Sequence, residues 1–202
     1  MSAEAVYRTT LALRARLQRA LVASGDPNAS NPGAVFVGPL DDPDASGASL
    51  ILFLYRMVPS QSLRNTDHVV PDNDPARPPI VYENALPLDL YYILTVGTLP
   101  GDSEETLLRV LGFAIRELND SPDLVGAPVA QETVRVSMET LTTEEISRIW
   151  ALFPVANYRT SVAYLASPVW IDPAVVPTPA RAVLHEVPKV GTQRAYGAAD
   201  GR

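Results

Sequence analysis

LILFLYRMV (residues 50–58), LPLDLYYILTV (residues 86–96) and YRTSVAYLASPVWID (residues 158–172) are three apolar, tyrosine-bearing runs bounded by Pro, Gly and Asp. So many Leu, Ile, Val and Tyr side chains over so short a length, closed by turn formers, predict strands of a central sheet covered on both faces. Pro168 cannot donate to a ladder, so the third run is expected to be bent, bulged or at a sheet edge there.

The segments between these runs supply the covers. Residues 3–23 place Val6, Leu13, Leu17 and Leu21 on one helical stripe and gather Arg8, Arg16 and Arg19 on the far side. That arginine face reads as solvated, with contact to an acidic partner as the alternative. The pattern stops at Ser24-Gly25-Asp26-Pro27, as Gly and Pro past a helix end predict. Residues 103–119 form a second amphipathic helix that buries Leu107, Leu111, Ala114, Ile115 and Leu118, with Asp102 and Glu105 as its cap. Residues 132–138 alternate as a strand with Val134, Val136 and Met138 on one face. Thr142 and Glu145 then form a capping box for a short helix over 143–153 that offers Ile146, Ile149 and Trp150 to the core. A short strand is expected over residues 34–37. Residues 59–85 carry five prolines and no sustained period, which reads as a long loop or arm with a short paired segment near 80–82. Its Arg64, Asn65, Asp67 and His68 are candidates for partner contacts. From residue 173 the composition turns to Ala, Val, Pro and Gly, giving a domain over 1–172 and an extended or flexible tail over 173–202, either disordered or an arm that orders on a neighbouring subunit's sheet edge.

Composition narrows the function classes. A chain of 202 residues, 47% hydrophobic and 19% charged, is long enough for one sizeable core and is not compositionally disordered. A net charge of −7 disfavours a dedicated nucleic-acid binder, and Tyr91, Tyr92 and Trp170 therefore read as core aromatics rather than base-stacking platforms. No apolar run reaches the ~18 residues of a membrane helix, and the N-terminus lacks a signal-peptide core, so synthesis and assembly in the cytoplasm are expected. The absence of cysteine excludes disulfides, thiolate nucleophiles and Cys-based zinc sites.

Catalytic chemistry has few candidates. His68 and His185 are far apart and form no short metal motif, no G-x-S-x-G elbow presents a serine, and a surface histidine is the simpler reading. Asp42, Asp44, Ser46 and Gly47 match the first half of a calcium loop, but Phe53 stands where the bidentate Glu belongs. The loop at residues 97–101 is followed by Asp102 instead of the lysine and hydroxyl of a phosphate cradle. Glu104-Glu105 and Glu144-Glu145 sit in first helical turns, where acids favour the dipole. Asp89 is the unusual acid: inside an apolar strand it needs an arginine or backbone amides, which points to a structural pair at an interface. A small-molecule site would have to form around Asp89 and Arg56. No cofactor or metal is expected.

In order along the chain, the first helix, LFLYRMVPSQSLRN (residues 52–65), PLDLYYILTV (residues 87–96), RELNDSPDL (residues 116–124) and IWALFPVANYRTSVAYLASPVWID (residues 149–172) resemble the cap, or tail terminator, proteins of phage-tail-like contractile injection systems. The resemblance spans residues 3–172. It implies an α/β (α+β-like) single domain with a central mixed β-sheet flanked by helices, and a structural, non-enzymatic role. Members of the family form a six-fold ring that closes the baseplate-distal end of the inner tube and contractile sheath. The implied partners are the chain itself, as a homohexamer, the sheath protein and the tube protein, in a particle that can be released; nucleic acid and membrane insertion are not implied. Such a ring needs two different, complementary surfaces on each subunit and no pocket chemistry. Arg8, Arg16, Arg19, Arg56, Arg64, Asn65, Asp67 and Asp89 are the candidate interface residues. The alternatives are a baseplate or sheath adaptor of the same machine, and a small-molecule-binding domain or enzyme.

Overall fold

The computed structural model describes residues 3–71, 77–98, 103–174 and 178–179. From the N-terminus the elements are α1 (Ala5–Ser24), β1 (Val35–Val37), β2 (Leu50–Pro59), β3 (His68–Val70), β4 (Ile80–Tyr82), β5 (Leu86–Val96), α2 (Glu104–Asp120), β6 (Asp123–Val125), β7 (Thr133–Glu139), α3 (Thr143–Trp150), β8 (Ser161–Ile171) and β9 (Thr178–Pro179). Six strands form one mixed sheet in the order β1-β2-β5-β8-β7-β6, in which only the β1–β2 pair is parallel. The three apolar runs are its adjacent central strands β2, β5 and β8. Their continuous hydrophobicity follows from burial on both sides. Leu50, Leu52, Tyr92 and Leu94 point into a core with Leu13, Leu17 and Leu21 of α1 and Leu111 and Ala114 of α2. The alternate residues Ile51 and Ile93 meet Trp150 and Phe153 on the α3 side. Each fully buried leucine of α1 contributes roughly 1.5–3 kcal/mol relative to exposure.

The local signals resolve in detail. α1 ends where Gly25 turns left-handed at φ 70° and its N–H meets the carbonyls of Leu21 and Val22. The capping box of α3 forms as expected: Thr142 Oγ1 accepts from the Glu145 N–H at 3.2 Å, and Glu145 accepts from the Thr142 N–H at 2.8 Å. The α2 cap is Ser103, whose Oγ accepts from the Thr106 N–H at 3.2 Å, so the start sits one residue later than the Asp102 reading; Asp102 lies outside the described residues. Met138, on the same strand face as the buried Val134 and Val136, is more than half exposed, beside a cleft of about 230 Å³ between α2 and β7.

Pro168 lies in the interior of the sheet, at an irregularity. The β5–β8 register shifts between Leu88 and Leu90, and the β7 ladder has already ended at Ser167, so no neighbour requires a Pro168 N–H. Asp42 caps a single 3-10 turn by accepting from the Asp44 N–H at 2.9 Å, which accounts for the acidic turn. Among the described residues no three His, Cys, Asp or Glu side chains are placed to hold a metal ion, and no helix is long and apolar enough to cross a membrane.

The segment read as an arm is more ordered than its composition suggested. β3 and β4 pair antiparallel (His68↔Tyr82, Val69↔Val81, Val70↔Ile80), and β9 joins the far side of β4 to make a second, three-stranded sheet. The first part of the segment read as a tail therefore pairs within its own chain.

Candidate interaction surface

α1 carries Arg8, Arg14, Arg16 and Arg19 and no acidic residue. Three of these converge on the side facing β6. Arg8 bonds Glu4 at 2.8 Å across one exposed helical turn. Arg16 turns inward: its guanidinium donates to the carbonyl of Ser121 and, at 3.1 Å, to that of Asp123. Those carbonyls point out of the sheet because the Pro122 carbonyl, on the other side of the strand, accepts from Val136 at 2.7 Å. Arg16 thus caps the open edge of β6. The reading of a solvated arginine face is corrected for this residue: its side chain is only 13% exposed. Burial, and next the neighbouring Arg19, lower its pKa from the usual guanidinium range, against the pull of Glu117 and Asp123. Glu117 lies 4.0 Å from Arg16 and 3.4 Å from Arg19, so one carboxylate serves two guanidinium groups.

Between α1 and the β6 edge runs a groove of about 520 Å³ with Leu11, Ala12 and Leu124 along it and the arginines at its rim. Tyr7 and Val125 flank it at 63% and 57% exposure. Sequence reasoning named the arginines and missed this apolar lining, because Val125 approaches Tyr7 and Leu11 only through the fold.

The remaining candidates do not join this surface. Arg56 stands exposed after a β-bulge in β2, its guanidinium 5.0 Å from the centre of the Tyr91 ring. Asp89 is partly buried and accepts a 2.5 Å bond from the Ser167 hydroxyl, so its partner is a serine rather than the expected arginine or backbone amides. Arg64, Asn65 and Asp67 are exposed on the turn leading to β3.

His68 is no surface histidine. It is 4% exposed, stacked on Trp170 at 4.6 Å and on Tyr82 at 5.9 Å. Nδ1 lies 2.6 Å from Asp172 and Nε2 lies 3.1 Å from Glu132. Burial lowers the His68 pKa from its usual value, opposed by the Glu132 carboxylate. The three residues span 104 positions in the chain, and no local signal announces them.

Similarity to known proteins agrees with this architecture. No curated protein is detectably similar in sequence. Among solved structures, the fold is similar to the sheath/tube terminator, in its extended state, of the extracellular contractile injection system PVC: TM-score 0.53 at 17% identity, covering 94% of this chain and 65% of that one. A second similar structure is the tube-terminating cap of the anti-feeding prophage, with TM-score 0.49 at 17% identity over 77% of this chain and 55% of that one. The chain thus spans just under two thirds of the terminator it resembles. The model of the Pvc16 N-terminal domain matches residues 8–185, far more than half of the sequence, and the chain belongs to the Pvc16 N-terminal domain family.

Proposed function

We propose that this chain is a structural terminator of a contractile injection system, assembling as a homohexameric ring that closes the baseplate-distal end of the inner tube and sheath and couples the two. The observation that carries this reading is a fold shared over 94% of the chain with a protein described as a sheath/tube terminator. Its partners on this reading are further copies of itself, the tube protein and the sheath protein, within a particle assembled in the cytoplasm and then released. A non-enzymatic role accords with how the chemically capable groups are used: His68 is held between two carboxylates and two aromatic rings, and Asp89 takes a serine hydroxyl.

The test is deletion of the gene in its native operon, with particle lengths measured by electron microscopy and complementation by the wild-type chain. Tubes of variable length, or sheaths detached from tubes, are the expected result. Particles of normal, uniform length would overturn the terminator role.

A further inference from the structure

The ring reading leaves open which two surfaces of the subunit meet. The two faces of the six-stranded sheet differ in charge and in relief. On one face lies the α1 groove, with Arg8, Arg16 and Arg19 at its rim beside Glu4 and with Leu11 along its length. On the other, the turn after α3 projects Leu152 and Val155, the two most exposed large apolar side chains among the described residues, at 70% and 84%. Around that turn carboxylates outnumber guanidinium groups: Asp42 and Asp44 lie at the nearby 3-10 turn, Glu144 pairs with Arg148, and Tyr55 of the same face, raised in pKa by burial, also feels Glu139 and Glu145 with Arg56 opposing them. Single exposed apolar residues are ordinary, but two three positions apart on one turn form a protrusion that water solvates poorly. Arg8 is paired with Glu4, Glu117 lies beside Arg16 and Arg19, and Asp123 acts on Arg16 and meets Arg135, so four guanidinium groups face three carboxylates and the groove retains a small positive charge for an incoming acidic surface.

We propose that the occupant of the α1 groove is a second copy of this chain, which inserts Leu152 and Val155 against Leu11, Tyr7 and Val125 and brings its acidic α3 face to the arginine rim. This inference rests on the ring reading and gives it an interface. The two surfaces are different and lie on opposite sides of the sheet, so the contact is heterologous, the kind that makes a ring where the rotation from copy to copy closes.

The chain contains no cysteine, which makes the test direct. The double variant Leu11→Cys/Val155→Cys, treated with a short bismaleimide crosslinker, is expected to give a ladder of covalent multimers, whereas either single variant is expected to stay monomeric on a denaturing gel. Val155→Asp, at a position exposed enough not to disturb folding, is expected to weaken association at least tenfold by light scattering. A wild-type oligomer whose double variant gives no ladder, crosslinking of a single variant with itself, or a chain monomeric at every concentration would each overturn the interface. The terminator role is judged separately by particle length: uncapped particles on deletion, together with a ring that gives no ladder, would sink this interface and leave that role standing.

Discussion

Tyr92 concentrates at one residue the conflict between burying area and burying a polar group. It is fully buried in the middle of β5, and its hydroxyl lies 2.8 Å from Thr10 Oγ1, which itself donates to the Val6 carbonyl at 2.8 Å. The Tyr92 O–H is therefore the donor to Thr10. Burial pushes its pKa up to about 12. An unfolded phenol ionises near pH 10, so the stability linked to this group is complete below pH 10 and is lost as the pH rises through the folded value. The shift of about two units corresponds to roughly 2–3 kcal/mol. Tyr92→Phe removes one hydrogen bond but leaves Thr10 satisfied by Val6, so the variant should be about 1 kcal/mol less stable than wild type at pH 8. At pH 11.5 the order should reverse, because only the wild type must keep a buried phenol protonated. Urea unfolding at the two pH values decides it; a difference independent of pH would show that Tyr92 does not titrate against folding.

At the scale of elements, the sheet edge at β6 is the feature that most needs management, since outward carbonyls invite pairing with another chain. Arg16 manages it by bridging Ser121 and Asp123 from a helix more than a hundred residues earlier. Arg16→Ala should cost about 1.5–3 kcal/mol in urea unfolding, the range for hydrogen bonds to a charged group. Arg16→Lys should recover less than half of that, because an ammonium cannot span two carbonyls as a planar fork does; full recovery by lysine would mean that charge alone matters. This contact also marks where sequence reading stops. Information confined to one element was legible: the leucine stripe of α1, the glycine that ends it, the Thr142–Glu145 box and the two-sided burial of β2, β5 and β8 all follow from neighbours within a few positions. Arg16 could be named as a candidate but not understood, because its partners come from the far half of the chain. The short paired segment near 80–82 was legible and is β4, whereas β3 and β9, of three and two residues, are too short for a period to show and lie among prolines that masked them. Met138 kept its alternation and still emerged exposed, since alternation sets the face of a strand and not whether a helix covers it.

At the scale of the whole molecule, the two sheets raise the question of what joins them. Among the described residues the small sheet of β3, β4 and β9 has five register pairs, too few to be stable without packing on something else. His68 supplies that packing: it belongs to β3, its ring lies on Trp170 of β8, and its nitrogens meet Asp172 just beyond β8 and Glu132 just before β7. One imidazole thus ties the small sheet to the large one by stacking and by the close contacts of its two nitrogens. Because its pKa is lowered in the folded chain, the stability it contributes is complete above the unfolded value near pH 6.5 and is lost as the pH falls through the lower folded value. His68→Ala should remove the stack and deprive two partly buried carboxylates of this partner, a local loss of roughly 2–3 kcal/mol from the stack and the lost hydrogen bonding. If the small sheet is a separate cooperative unit, amide exchange in β3 and β4 should accelerate on the order of a hundredfold at pH 7 while β5 and β8 stay within a few-fold of wild type. The same selective loosening should appear in the wild-type chain as the pH is lowered below 6.5, with the central strands still protected. Equal acceleration across both sheets would show instead that they unfold as one unit, with His68 an ordinary core residue rather than the joint between them.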